Sequence, residues 1–191
     1  MPEYRRAYMP GGTFFLTLVT YHRTPIFSKP ENISRLRCAV ATTKSEMPFK
    51  IVGAVVLPEH IHFLWTLPYN DYAYSQRVGR LKVLFTQLLR GKQALPKNVS
   101  HSRRKHHESD VWQRRFWEHT IRNEVDFERH LDYIHYNPVK HRLASCPHVW
   151  QYSSFHTWVR KGICAVDWCC ACDRGQPRIP DFTEITERMG E

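Results

Sequence analysis

The sequence lacks any apolar run long enough to span a bilayer, which argues against a membrane-spanning protein. Residues 1–6 also lack the apolar segment of a secretory signal peptide. We therefore expect a cytoplasmic protein without a membrane partner. In that compartment its six cysteines should be reduced thiols rather than a disulfide framework.

Acidic residues are scarce relative to basic ones. The chain has 18 Asp and Glu against 28 Lys and Arg, a formal net charge of +10, and it carries 12 histidines in addition. This balance predicts a polyanionic partner. Nucleic acid is the first choice and is preferred over an anionic membrane surface, the second, which agrees with the expectation of no membrane partner. The length of 191 residues suits one compact domain with a tail, and 42% hydrophobic residues can build its core.

Strand-like and helix-like segments alternate along the chain in the order β-α-β-β-α-β-α. Strands are predicted at residues 13–20, 50–57, 61–67 and 111–119, and helices at residues 31–44, 75–90 and 124–136, the last ended by Pro138. The first six elements match the split βαβ, ferredoxin-like pattern, an α+β fold with one antiparallel sheet and helices on one face. Residues 143–191 form a C-terminal extension expected to pack on the domain of residues 1–142, and the chain after Pro177 should be a loose tail.

Two histidines stand in the middle of an apolar stretch. His60 and His62 are one residue apart, so in a strand their side chains point to the same face, and Ile61 points to the other. Two imidazoles on one face can share a metal ion, but they do not fill its coordination shell. Further ligands must then come from elsewhere in the chain.

The predicted third helix offers suitable partners. Tyr133 and Asn137 are four residues apart, so they lie on one helix face with Cβ atoms about 6 Å apart. An amide oxygen is a neutral metal ligand and a tyrosine hydroxyl is a possible nucleophile. If this helix crosses the face that carries the histidines, the four residues form a site suited to phosphodiester cleavage.

These motifs resemble the single-tyrosine HUH transposases, and more narrowly the REP-associated tyrosine transposases. The resemblance spans residues 3–162 and is carried by several short stretches: Pro58-Glu59-His60-Ile61-His62, Tyr133-Ile134-His135-Tyr136-Asn137-Pro138-Val139-Lys140, and Phe116-Trp117-Glu118-His119-Thr120-Ile121-Arg122. It implies that residues 1–142 are an HUH-type nuclease domain whose third helix is catalytic. The basic loop at residues 91–110 and the cysteine-rich stretch after Gly162 depart from the family pattern.

The resemblance also implies an activity, a cofactor and a partner. The activity is cleavage, with possible rejoining, of single-stranded DNA at repetitive extragenic palindromic hairpins through a 5′-phosphotyrosine. Tyr133 would be the nucleophile, and His60, His62 and Asn137 would hold Mg²⁺ or Mn²⁺. The protein would be a monomer or dimer associated with the nucleoid.

Basic and aromatic residues are candidates for DNA contact. Arginine can read guanine and tyrosine can stack on an unpaired base, which makes the N-terminal group attractive for recognition. The candidates are Tyr4, Arg5, Arg6, Arg77, Arg80, Lys82, Arg114 and Arg115. Residues 91–110 are predicted to form a mobile basic loop that could also contact phosphates.

Several residues have competing interpretations. Tyr136 is a rival nucleophile, or an aromatic residue packed against the extension. Glu59 could support a histidine ligand or be a turn residue, and Glu118 and His119 are favoured as strand surface over catalysis. The cysteines at 164, 169, 170 and 172, with His156, could bind zinc, but a single C-x-x-C pair is a weak signal.

Two other functions stay open from the sequence. A basic α+β domain could bind DNA or RNA hairpins without cutting them, using the arginines but neither the ion nor the tyrosine. Alternatively, His60 and His62 could hold iron or zinc in a small-molecule metalloenzyme.

Overall fold

Thr13–Val19 (β1), Lys50–Val56 (β2), His60–Thr66 (β3) and Trp117–Thr120 (β4) form one antiparallel sheet in the order β2-β3-β1-β4. This computed structural model describes residues 9–91, 99–105, 109–170 and 179–189. The strand order and the helix between β1 and β2 are those of a ferredoxin-like sheet, so the predicted α+β fold is confirmed.

Two helices cover one face of the sheet. Pro30–Glu46 (α1) and Tyr74–Arg90 (α2) pack against the side chains of Phe14, Leu16 and Leu18. These alternate residues of β1 point to this face because side chains in a strand alternate. Phe15 and Thr17 point to the opposite face, which holds the candidate site.

The basic segment before β4 is more ordered than expected where the structure describes it. His101–Lys105 (α3) is a short helix, and Arg103 stacks on Tyr21 and donates hydrogen bonds to the carbonyls of Ser109 and Trp112. The predicted fourth strand is also too long. Trp112 makes only an isolated bridge to Thr20, and the exposed residues 113–115 separate that bridge from β4.

The helix that carries the predicted nucleophile runs from Glu124 to Lys140 (α4) across the other face of the sheet. Asn123 caps its start by accepting a hydrogen bond from the backbone of Asp126. The prediction that Pro138 ends this helix is wrong. Proline removes one hydrogen bond, but the carbonyls of Asn137 and Pro138 still accept from His141 and Leu143, so the helix continues for two residues.

The C-terminal extension hydrogen-bonds along the outer edge of β2. Tyr152 and Ser154 exchange backbone hydrogen bonds with Val56 and Ala54, and a helix, Phe155–Arg160 (α5), follows. The indole nitrogens of Trp150 and Trp158 donate to carbonyls of β2. These contacts protect a sheet edge that would otherwise expose unpaired backbone groups.

Two expectations about the extension are wrong. The chain after Pro177 is not loose throughout, because Thr183–Met189 (α6) is a helix whose first turn packs on α4 through Phe182 and Ile185. Cys146 and Cys170 are joined in a disulfide, so this pair is not reduced in the structure. In the described part of the chain, no helix is long and apolar enough to cross a membrane.

Candidate active site

The two histidines of β3 lie side by side beneath α4. Both are fully buried, and their ring centroids are 4.8 Å apart. Ile61, between them, is buried in the opposite core with α1 and α2. The alternation predicted from the sequence therefore places both imidazoles on one face.

Each histidine is held by a hydrogen bond to its Nδ1 atom. His60 Nδ1 lies 3.0 Å from Glu59 Oε1, and His62 Nδ1 lies 2.9 Å from Thr17 Oγ1. The hydrogen bond to His60 lowers the pKa of Glu59, and Arg23 lies 3.5 Å from the same carboxylate oxygen. Partners at Nδ1 fix the ring orientation, as is usual for metal-binding histidines that coordinate through Nε2.

Helix α4 brings Asn137 and Tyr133 to the same place. Asn137 Oδ1 lies 3.3 Å from His60 Nε2, and the Tyr133 ring centroid lies 5.4 Å from that of His62. Both side chains are fully buried. The structure thus brings together all four residues that the sequence analysis assigned to the site.

The close approach of α4 to the sheet depends on a glycine. A Cβ atom added to Gly53 of β2 would lie 2.9 Å from Leu131 Cδ1, and 3.3 Å from both Ile134 Cδ1 and Leu64 Cδ1. Leu131 and Ile134 flank Tyr133 on α4. The absence of a side chain at Gly53 therefore allows the helix to lie against the histidines.

The donor set suits a divalent cation. A carboxylate accepts hydrogen bonds, so a neutral His60 that donates from Nδ1 to Glu59 leaves Nε2 as a lone pair directed at Asn137 Oδ1. Two acceptors 3.3 Å apart repel one another unless a cation or a proton lies between them. The Nδ2 atom of Asn137 is buried and has no hydrogen-bond partner among the described residues. Imidazole and amide oxygen are ligands compatible with Mn²⁺ and Mg²⁺.

Lys140 ends the motif that carries the resemblance, but the sequence analysis gave it no role in the site. Its Nζ atom donates a hydrogen bond of 2.8 Å to the hydroxyl of Tyr133 and lies 4.9 Å from the centre of the ring. The two residues are seven apart, two turns along one face of α4. This seven-residue spacing was visible in the sequence. The predicted helix ended before Pro138, however, so it did not include Lys140 on the face that carries Tyr133.

The C-terminal segment covers the tyrosine. Phe182 packs edge-on against Tyr133, with ring centroids 5.5 Å apart, and stacks on Tyr136 at 5.6 Å. Tyr136, the rival nucleophile, is partly buried in this contact, and burial raises its pKa. The Tyr133 side chain is fully buried beneath this contact.

The neighbouring candidates on β4 point in opposite directions. Glu118 accepts a hydrogen bond from the Tyr74 hydroxyl on the α2 side of the sheet, away from the histidines. His119 lies on the α4 side, where Nε2 is 2.7 Å from Asp126 Oδ2 and the ring stacks on His130 at 4.4 Å. Burial lowers the pKa of His130, which favours its neutral form.

The structure separates the basic candidates into different environments. Arg77 is only 3% exposed and binds Asp71 and the carbonyls of Met47 and Pro48, so its place is structural and not a phosphate contact. Arg80 forms a bidentate ion pair with the carboxylate of Glu46. Lys82 lies over the rings of Trp112 and Phe116 and donates to the carbonyl of Gln113.

Two arginines of the segment before β4 are better placed for DNA. Arg114 and Arg115 are both exposed, and Arg114 donates a hydrogen bond to Ser102 of α3. The N-terminal candidates Tyr4, Arg5 and Arg6 lie outside the described residues.

A tyrosine and three potential metal ligands gathered on one sheet face have the chemistry of phosphodiester cleavage, and comparison with known proteins shows a class of transposases. The family described as "Transposase IS200 like" matches residues 12–137. The REP-associated tyrosine transposase of Escherichia coli K12 is 39% identical over 168 residues, covering 88% of this chain and 91% of the relative. A Haemophilus influenzae protein described as the same type of transposase is 44% identical over 171 residues, covering 88% of this chain and 93% of the relative.

A solved structure gives the same result. A REP-associated tyrosine transposase bound to a REP hairpin superposes with a TM-score of 0.73 at 36% identity, covering 95% of this chain and all of that one. The chain belongs to the REP-associated tyrosine transposases.

Proposed function

We propose that this transposase cleaves single-stranded DNA at repetitive palindromic hairpins, with Tyr133 as the nucleophile and a divalent metal ion bound by His60, His62 and Asn137. The observation that carries the proposal is the meeting of these four side chains at the face between β3 and α4. The hairpin as substrate is supported by the related structure, which was solved with a REP hairpin.

The chemistry follows from the residues that surround the phenol. The Tyr133 oxygen would attack the phosphorus atom, forming a phosphotyrosine on the 5′ side while the bond to the 3′ oxygen breaks and that oxygen takes up a proton. The phenol proton would pass to solvent. Lys140, already 2.8 Å from the hydroxyl, would stabilise the negative charge that develops on the phenol oxygen.

Mg²⁺ or Mn²⁺ bound at this site would add positive charge beside the phosphate oxygens. His60 and His62 are fixed for that role by Glu59 and Thr17. Exposed Arg114 and Arg115 would contact the DNA backbone. Because the substrate is genomic DNA, we place the protein in the cytoplasm with the nucleoid.

The alternative is a hairpin-binding protein that does not cut. The full burial of Tyr133 beneath Phe182 favours it, because a buried phenol cannot reach a phosphate. The two functions differ in their need for the tyrosine and for the metal.

A cleavage assay with matched tyrosine variants tests the proposal. Labelled single-stranded hairpins from the host genome are incubated with the protein and Mn²⁺, and the products are separated on a denaturing gel. Wild type and Tyr136→Phe should cleave, whereas Tyr133→Phe should bind the hairpin and not cleave it. Cleavage by Tyr133→Phe at the wild-type rate would show that Tyr133 is not the nucleophile. Tight binding without cleavage by wild type and by Phe182→Ala would favour the binding protein.

A further inference from the structure

A second group of metal-ligand residues lies beyond the end of α4 and shares no residue with the histidine site of β3. Cys146, His148 and Cys170 each offer a ligand atom, and these three atoms lie within 4.8 Å of one another. Cys146 is fully buried, whereas His148 and Cys170 are partly accessible. His148 lies in a turn at residues 147–149 that packs on α4, and Cys170 lies in the segment that follows α5. The group therefore connects these two segments.

The disulfide leaves part of this group unsatisfied. It joins Cys146 and Cys170, but the Nδ1 atom of His148 is buried and has no hydrogen-bond partner in the parts of the chain that the structure describes. A buried imidazole nitrogen without a partner is unfavourable, and beside two sulfur atoms it has the chemistry of a third metal ligand. Nothing in the nuclease site uses these residues.

We propose that in the reduced chain Cys146, His148 and Cys170 hold a structural zinc ion. Reduction of the disulfide takes two electrons from a thiol or phosphine reductant, and the two protons come from the reductant thiols or, with a phosphine, from water. Binding of Zn²⁺ by the two resulting thiols then releases two protons, because the thiolates are the ligands. Two thiolates and one imidazole supply three of the four positions of a tetrahedral zinc site.

The structure distinguishes this group from the cysteines nearby. Cys169 is adjacent to Cys170 in sequence and is buried, but its sulfur is not one of the three ligand atoms that lie within 4.8 Å of one another. The Nε2 atom of His156 already lies 3.0 Å from the Trp150 carbonyl oxygen. Of the zinc set considered from the sequence, Cys170 is the member that belongs to this group among the described residues, and Cys172 lies outside them.

The position of the site suggests what the ion does. Cys146 follows the end of α4 by six residues, and Cys170 ends the described part of the extension that covers the edge of β2. Through Cys146, His148 and Cys170, zinc would link the extension to the end of α4, the helix that carries Asn137 and Lys140. This role is independent of the proposed nuclease function.

Metal analysis of the full chain under reductant tests the proposal. A His60→Ala/His62→Ala background removes the ligands of the nuclease site, and the cysteine variants separate the cysteine group from His119, Asp126 and His130, whose ligand atoms also lie within 4.8 Å of one another. We expect one zinc ion per chain, and cobalt in its place should show thiolate-to-metal charge transfer. Cys146→Ser and Cys170→Ser should each lower zinc affinity by about tenfold or more. Cys38→Ser, at an exposed cysteine of α1, should leave the affinity unchanged.

Alkylation of the wild-type chain provides a test without cysteine variants, which could fail to fold. In the reduced protein, zinc should protect the partly accessible Cys170 from alkylation until a chelator is added, while the exposed Cys38 reacts in both conditions. No retained zinc and no charge-transfer band would overturn the proposal. Equal labelling of Cys170 with and without zinc would overturn it as well.

Discussion

The contact between Gly53 and α4 predicts that one added methyl group will disturb both stability and metal binding. In Gly53→Ala the new Cβ would lie 2.9 Å from Leu131 Cδ1, whereas carbon atoms prefer separations of about 3.5 to 4.0 Å. Leu131 and the other two neighbours, Ile134 and Leu64, are buried, so none can turn into solvent. The helix or these side chains must shift by about 0.5 to 1 Å, at a cost of about 1 to 2 kcal/mol.

The same shift reaches the candidate site because Leu131 and Ile134 lie on the helix that carries Asn137. Moving α4 away from the sheet would lengthen the 3.3 Å separation between Asn137 Oδ1 and His60 Nε2. Urea unfolding should therefore show a loss of stability, and calorimetric titration should show weaker Mn²⁺ binding.

Gly79→Ala is the matched control. A Cβ atom at Gly79 meets no heavy atom within 4 Å, and the residue lies inside α2. Alanine is a better helix former than glycine, so this variant should gain about 0.5 to 1 kcal/mol and bind Mn²⁺ as wild type does. If Gly53→Ala matches wild type in both stability and Mn²⁺ affinity, the packing argument for the site is incorrect.

Three further predictions concern single side chains. Asn137→Ala should weaken Mn²⁺ binding in a calorimetric titration because a proposed ligand is lost, and unchanged affinity would reject that role. Lys140→Met should slow cleavage in single-turnover assays by about tenfold or more, because the variant loses the ammonium group that contacts the phenol oxygen of Tyr133. Hairpin affinity should change less. Equal cleavage rates for the variant and wild type would argue against this role. Burial lowers the pKa of His135 from 6.5 to about 3, so only the unfolded chain takes up this proton as the pH falls below 6.5. Between about pH 7 and pH 5, wild type should lose about 2 kcal/mol more stability than His135→Gln in urea unfolding, and equal losses would contradict the burial argument.

Regular patterns made most of the fold predictable from the sequence. The β-branched and aromatic run at residues 13–20 predicted β1, and the spacing of His60 and His62 put both imidazoles on one side. The four-residue spacing of Tyr133 and Asn137 gave their shared helix face. What the sequence could not supply was the placement of α4 over the sheet, because it depends on packing against Gly53, a contact between residues far apart in the chain.

The errors have identifiable physical causes. Pro138 lies in the last turn of α4, where losing one hydrogen bond does not stop the helix, and ending it there concealed Lys140. Phe182 and Ile185 carry too short an apolar pattern to predict a packed helix, and they are buried only because α4 offers Tyr133 and Tyr136 as partners. The charge of Arg77 suggested a DNA contact. Its guanidinium group instead binds the carbonyls of Met47 and Pro48, which directly follow α1.

Mass spectrometry of the covalent reaction product tests the central claim most directly. The protein is incubated with a single-stranded hairpin and Mn²⁺, denatured and digested, and the peptides are searched for an attached nucleotide. The account predicts a nucleotide linked through its 5′ phosphate to Tyr133 in wild type, and no adduct in Tyr133→Phe. Cleaved DNA with the nucleotide on Tyr136, or cleavage without any protein adduct, would contradict it.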